Sequence, residues 1–253
     1  MSFDVAADAY DKFMGRYSVP LASPFADFAL IEPGQRVLDV GCGPGALTVE
    51  LVERLGADAV SAVDPSEQFV AAVQMRAPGV SVQRSGAELL PFADGSFDAC
   101  VAQLVVHFMD EPVSGLREMS RVTRSGGVVS ACVWDHGGSR GPLSAFWAAA
   151  RALDDDVMDE STLAGARAGH LGELFRSAGL LDVEEDTVSV DVEHASFDAW
   201  WEPYTLGVGP AGRYVRGLSA AQQEKLRDLC RESLPSAPFT QPAVAWAARG
   251  RAA

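Results

Sequence analysis

The sequence predicts an α/β fold: a mainly parallel β-sheet with helices on both faces. Three observations carry this. From residue 36 onward, short apolar, β-rich runs alternate with helical patterns, the signature of βαβ units. The first run enters a glycine-rich turn that opens a helix. Two later runs, 98–106 and 128–134, are almost continuously apolar, as strands covered on both faces are. Right-handed crossovers then place helices on both sides of the sheet.

Arg36 to Val40 reads as the first strand and ends in Gly41-Cys42-Gly43-Pro44-Gly45. A helix over 46–55 follows, with Leu47, Leu51 and Leu55 on one face. Residues 58–63 form a second strand, stopped by Asp64-Pro65-Ser66; a helix with Phe69, Val70 and Val73 runs to Pro78-Gly79. Residues 80–83 are a short third strand and 98–106 a fourth, interrupted by Gln103. Residues 112–123 are helical, and Gly126-Gly127 leads into a fifth strand ending at Trp134. Beyond a polar loop, 143–169 read as a helix and an acidic stretch that is expected to be a solvated surface. A helix over 170–178, an alternating strand over 183–192, two or three helices over 196–235 and a last strand over 242–248 complete the chain. Residues 4–29, with Tyr10, Arg16 and Tyr17, show too little apolar periodicity for a core element; a lid and a mobile arm are equal readings.

The chain has 253 residues and a formal net charge of −15. That acidity argues against nucleic acid, whose phosphates draw clustered Lys and Arg, and against an anionic membrane. No apolar run reaches the roughly 18 residues of a spanning helix. Met1-Ser2-Phe3-Asp4 has neither the basic region nor the apolar core of a signal peptide. Cys42, Cys100, Cys132 and Cys230 form no pairing or zinc motif, so buried thiols in a reducing cytoplasm are expected, without a metal.

The glycine turn carries the chemistry. Its glycines allow positive φ and close backbone approach, placing a ligand at the carboxyl end of the first strand beside a helix N-terminus. As a bare pattern, Gly41-x-Gly43-x-x-Ala46 also fits the relaxed dinucleotide fingerprint. Asp39 tilts the choice. A carboxylate beside a diphosphate at roughly 6 Å costs about 3 kcal/mol at an effective dielectric near 20. A cationic cofactor, such as S-adenosylmethionine with its sulfonium and ammonium groups, turns that repulsion into attraction. Asp64 follows the first glycine by 64 − 41 = 23 residues, where a carboxylate accepts from ribose hydroxyls; the alternative is a cap for the next helix.

Val37 to Thr48 resembles motif I of the class I S-adenosylmethionine-dependent methyltransferases. Ala62 to Ser66 resembles the acidic position after it. Gly86 to Asp98 resembles the adenine loop and fourth strand of the branch that holds the ubiquinone/menaquinone C-methyltransferases, and Arg121 to Gly127 the turn before strand five. The resemblance spans 34–135. It implies a Rossmann-like seven-stranded sheet of order 3-2-1-4-5-7-6 with an antiparallel seventh strand. It further implies an N-terminal helical lid (1–33), a cofactor domain (34–193 and 239–251) and a small helical cap (194–238). Gly41, Cys42, Gly43 and Gly45 would line the methionyl portion with Asp39 nearby, and Gln103 would sit beneath it. Asp64 would hold the ribose, Pro65 and Phe69 the adenine face, Ala87 and Glu88 the adenine edge. Tyr10 and Arg16 resemble lid residues, Arg16 facing the cofactor carboxylate. Relatives often carry Asp where this chain has Gly86, so Glu88 or a backbone carbonyl must meet the adenine amine.

The implied activity is methyl transfer to a small, apolar or aromatic acceptor by a monomer or homodimer. Alignment supplies much of the rate; a base is needed only if the acceptor keeps its proton until attack. His107, after strand four, is the candidate base, against a structural histidine; His136 is second, while His170 and His194 have surface-like contexts. Trp200, Trp201 and Tyr204 would cap the acceptor or simply pack. The rivals are an NAD-dependent oxidoreductase, a non-catalytic S-adenosylmethionine-binding protein, and non-methylating chemistry on the same fold.

Overall fold

The computed structural model describes residues 7–253. Residues 1–6 of the expected lid, and the stretch read for a signal peptide, lie outside the described residues. A short helix α1 (Ala7–Tyr10) passes through a π-helical turn (Asp11–Gly15) into α2 (Arg16–Phe28). β1 (Val37–Val40) is followed by α3 (Ala46–Leu55), β2 (Val60–Asp64), α4 (Glu67–Arg76) and β3 (Ser81–Arg84). β4 (Phe97–Gln103), α5 (Pro112–Val122), β5 (Thr123–Trp134), α6 (Ser144–Leu153), α7 (His170–Ser177) and β6 (Leu181–His194) come next. α8 (Phe197–Trp201), α9 (Gly209–Gly217), α10 (Ala220–Ser233) and β7 (Phe239–Arg251) end the chain.

The described residues form one Rossmann-like seven-stranded sheet of order β3-β2-β1-β4-β5-β7-β6. The first five strands pair in parallel, and β7 runs antiparallel to both β5 and β6. Leu21, Phe25, Leu51 and Phe146 of α2, α3 and α6 fill one face; Leu116, Met119, Leu171 and Phe175 of α5 and α7 fill the other. The order reverses direction between β1 and β4, which opens a crevice beyond their carboxyl ends.

Several expectations need correction. The N-terminal segment is a core element. Tyr17, Leu21 and Phe25 are fully buried, and Tyr17 Oη donates to Gln241 Oε1 (2.9 Å) on β7. Pro20 and Pro24 inside α2 had hidden this stripe. β4 ends at Gln103, not 106, because Leu104 turns left-handed (φ +63°), a conformation uncommon outside glycine, ahead of a 3₁₀ turn over Val106–Phe108. β5 begins at Thr123, and β6 and β7 are longer than expected because they pair along twelve residue positions. The acidic stretch is only partly solvated: Glu160 is buried and accepts from Trp147 Nε1 (2.9 Å). His194 is buried too, 3.3 Å from Tyr17 Oη, and not in a surface context. Trp200 and Trp201 both pack inside, Trp200 Nε1 donating to Gln241 Oε1 (2.9 Å), so packing is the reading found.

Candidate active site

The glycine turn is built against β2. The N–H groups of Gly41 and Cys42 both donate to Val63 O, at 2.8 and 3.0 Å. Gly41 has φ +69°, and a Cβ there would lie 2.5 Å from the Val105 side chain. The left-handed Leu104 brings Val105 beneath the turn, so the close approach of β1 and β4 needs glycine at this position. Gly43 N–H donates to Asp64 Oδ2 (2.9 Å), and Ser66 N–H donates to Asp64 Oδ1 (2.8 Å). Asp64 thus ties the glycine turn to the segment that leads into α4, without capping that helix, and stands on the crevice wall. Burial raises its pKa above the ordinary carboxylate value, against those two N–H donors.

The crevice holds about 680 Å³, within the roughly 300–1,000 Å³ of small-molecule sites. Tyr10, Gly41, Gly43, Asp64, Pro65, Phe69, Ala87, Glu88 and Gln103 all line it. Tyr10 and Phe69 meet edge to face, ring centroids 5.4 Å apart, joining α1 to α4. Gln103 Nε2 donates to Ser18 O (2.9 Å), and its Oε1 is buried without a hydrogen-bond partner among the described residues. Glu88 Oε1 accepts from the N–H groups of Asp110 and Glu111, just ahead of α5, at 3.0 and 3.4 Å; this places one of its oxygens away from an adenine role.

Five expected site residues are not on this wall. Asp39 is buried behind the turn, where Thr48 Oγ1 donates to its Oδ2 (2.6 Å). Burial lifts its pKa to about 7, opposed by the Thr48 bond and reinforced by Asp64. Cys42 packs with Ala62, Val73 and Ala77. Gly45 (φ +102°) starts α3 against Val73. Arg16 does not face the crevice: its guanidinium donates to Ala199 O and Trp200 O at 3.1 and 3.2 Å, because α2 lies against α8. His107 lines a second, smaller cavity with His136, their ring centroids 6.2 Å apart. Burial lowers its pKa well below the usual histidine value, with His136 adding to the effect, so its imidazole is neutral near pH 7.

Sequence reasoning missed Leu104, Val105, Phe108 and Met109, which form the crevice wall beyond β4. Their signal was position alone, just past a strand's carboxyl end; the run of apolar residues disguised the left-handed break.

The comparisons with known proteins fit this geometry. Residues 38–131 match the family model described as "Methyltransferase domain". Over 95 residues the chain is 43% identical to a demethylmenaquinone methyltransferase of Beutenbergia cavernae, covering 38% of this chain and 39% of that one. Over 128 residues it is 34% identical to a malonyl-[acyl-carrier protein] O-methyltransferase of Erwinia billingiae, covering 51% and 50%. Residues 38–131 thus form a methyltransferase domain, similar to those of demethylmenaquinone and ubiquinone/menaquinone methyltransferases. The alignments span half or less of these curated relatives' length. The fold likeness is wider. A crystal structure of an S-adenosylmethionine-dependent methyltransferase, possible histamine N-methyltransferase, from Thermotoga maritima superposes with a TM-score of 0.57 at 18% identity, covering 97% of this chain and 96% of that one.

S-adenosylmethionine is the cofactor of this domain, and the crevice residues fit it. The charged side chains among the lining residues are Asp64, Glu67, Glu88, Asp110 and Arg84. Four acids against one base suit a cationic donor and oppose a diphosphate. Asp64 keeps acceptor lone pairs beyond its two backbone bonds, and the turn presents backbone with no Cβ at Gly41 or Gly43.

Proposed function

We propose that this protein transfers a methyl group from S-adenosylmethionine to a small-molecule acceptor by in-line displacement. The observation that carries this is the acidic crevice that joins the Gly41–Gly43 turn to Asp64. When bound, the cofactor supplies a methyl group activated on sulfur, whose leaving thioether is neutral and needs no acid. In this reading Gly41 and Gly43 take the methionyl portion, Asp64 the ribose, and Pro65, Phe69 and Ala87 the adenine. Tyr10 closes the crevice from α1, and Gln103 Oε1 is a buried acceptor for the ammonium group. The chain's work is alignment and water exclusion, which contribute most of the effective molarity such reactions need.

The segment 194–238 is assigned to the acceptor side as a cap; of the N-terminal segment only α1, through Tyr10, is assigned to a lid, since α2 belongs to the core. A cytoplasmic location accompanies this reading: Cys42, Cys100, Cys132 and Cys230 are all free, buried thiols. Among the described residues no helix is long and apolar enough to cross a membrane.

The test is transfer of tritiated methyl from the cofactor into extracted products over a panel of phenols, quinols, carboxylic acids and amines. Product formation with at least one acceptor, lost in Asp64→Ala, is expected. Cofactor binding with no transfer to any acceptor supports the non-catalytic alternative instead.

A further inference from the structure

The π-helical turn Asp11–Gly15 interrupts regular α-helical bonding between α1 and α2, and helices bend at such turns. Beyond it α2 is fixed in the core, where Phe13 and Met14 also anchor the later half of the turn. The placement of α1 and Asp11 therefore depends on what they touch on their other side, which is α4. Tyr10 rests edge to face on Phe69, ring centroids 5.4 Å apart. Asp11 makes a two-pronged ion pair with Arg76, the last residue of α4. Arg76 Nη1 donates to Asp11 Oδ1 (3.2 Å) and Arg76 Nη2 to Asp11 Oδ2. Phe69 and Arg76 lie about two helical turns apart and so share a face of α4. Between them on that face stands Val73, whose Cγ2 would lie 3.2 Å from a Cβ on Gly45. The same face therefore meets the glycine turn.

Arg76 reaches that turn as well: its Nη1 also donates to Pro44 O (3.0 Å). One guanidinium thus joins the π-helical turn, the glycine turn and α4. Arg76 is not among the residues that line the crevice, so any effect it has on a ligand there passes through its partners. Gly15 gives Asp11 its room, since a Cβ on Gly15 would come 3.3 Å from Asp11 Oδ1. Asp8 on α1 adds a second negative charge near the guanidinium. A two-pronged arginine–carboxylate pair fixes orientation as well as supplying attraction. The side chains of Arg76 and Asp11 are nevertheless 36% and 32% exposed, so water and salt screen the pair and it opens readily.

We propose that Arg76 is a positioning residue for the cofactor: by gripping Asp11 it holds Tyr10 over the occupied crevice, and opening of this pair sets the rate of cofactor exchange. This rests on the proposed placement of S-adenosylmethionine. Tyr10 shares the crevice wall with Asp64 and Phe69, the residues assigned to the ribose and the adenine. Released from Arg76, α1 loses the anchor next to Tyr10 and moves more readily away from them, while α2 keeps its place in the core. The opening is local, of the low-cost kind that short, part-exposed segments undergo.

The test measures dissociation of S-adenosylhomocysteine from the full chain by surface plasmon resonance. Hydrogen exchange of the amides of residues 7–12 in the ligand-free protein accompanies it. Asp11→Asn removes the charge pair and leaves the Arg76–Pro44 bond. It is expected to speed dissociation at least fivefold and to speed exchange over 7–12. Its melting temperature is expected to stay within about 2 °C, as the loss of one part-exposed pair allows. Arg76→Ala is expected to speed dissociation at least as much, and the double variant no more than Arg76→Ala alone. Arg76→Lys, which keeps the charge without the fork, is expected to lie between. Raising sodium chloride from about 20 mM to about 500 mM is expected to speed dissociation from the unaltered protein more than from Asp11→Asn. Unchanged dissociation in Asp11→Asn overturns the proposal; if Arg76→Ala alone is faster, Arg76 acts on the glycine turn and not on α1. Melting temperatures that fall in step with the faster rates make the pair a structural brace and overturn it equally. In each of these cases binding by the unaltered protein leaves the proposed function standing. Failure of the unaltered protein to bind S-adenosylhomocysteine overturns both.

Discussion

Gly41 has room for a hydrogen atom and nothing larger, since a Cβ would sit 2.5 Å from the branched Val105 side chain at a φ of +69°. Gly41→Ala is expected to lower the melting temperature by several degrees and to weaken S-adenosylhomocysteine at least tenfold. Thermal unfolding and calorimetry on the one variant check both effects. Gly43, with nothing within 4 Å of its Cβ position, provides the contrast in packing. Asp39 makes the opposite case, a residue held at a cost. Its pKa of about 7, raised by burial, lies above the unfolded carboxylate value. The folded state therefore keeps a proton that the unfolded state has already released, and Asp39's contribution is lost as pH rises from about 4 through 7. Asp39→Asn is expected to gain most over the unaltered protein at pH 8 and least at pH 5, by melting temperature. The sequence placed Asp39, Gly41 and Asp64 in one neighbourhood through spacing. It did not show that Asp39 lies behind the turn, bonded to Thr48, because depth at a strand end depends on what the following helix covers.

At the scale of elements, local signals were strong where period and punctuation agreed. α3 was legible to its end residues because Leu47, Leu51 and Leu55 repeat at helical spacing between Gly45 and Gly56. α2 was not, because Pro20 and Pro24 each remove a helical hydrogen bond and disfavour the preceding turn. Tertiary burial overrides that cost: Tyr17, Leu21 and Phe25 are fully enclosed against α3 and the β6–β7 pair. Phe25→Ala is expected to destabilise the protein by about 3–5 kcal/mol, the usual range for a buried Phe, measured by urea unfolding. A loss below about 1 kcal/mol would mean that α2 is a loosely held lid after all. β4 shows a different limit. Its apolar run continues past the strand, and only the left-handed Leu104 reveals the break. The crevice wall beyond β4 was therefore invisible to a reading by periodicity.

For the whole molecule, strand alternation and the glycine turn were enough to predict a mainly parallel sheet, while the number and order of its strands followed from resemblance. What no local pattern shows is which polar groups the closed fold isolates. His107, His136 and His194 all lie inside, and burial lowers the pKa of each. His194 falls to about 4, with Arg16 contributing after burial. The unfolded chain binds a proton at this residue from about pH 6.5 downward, whereas the folded chain does so only near 4. Stability from His194 is thus present above pH 6.5 and lost as pH falls toward 4. His194→Gln, judged by melting temperature relative to the unaltered protein, is expected to improve steadily between pH 7 and pH 4.5. A pH-independent difference would contradict the linkage.

The proposed activity requires a cationic donor lying in the acidic crevice with its sugar on Asp64. Isothermal calorimetry of S-adenosylhomocysteine with the folded protein and with Asp64→Ala tests that most directly, with NADH as the control. Micromolar binding, weakened at least tenfold in the variant and absent for NADH, is the predicted result. Equal binding by both proteins, or binding of NADH in place of S-adenosylhomocysteine, would contradict it.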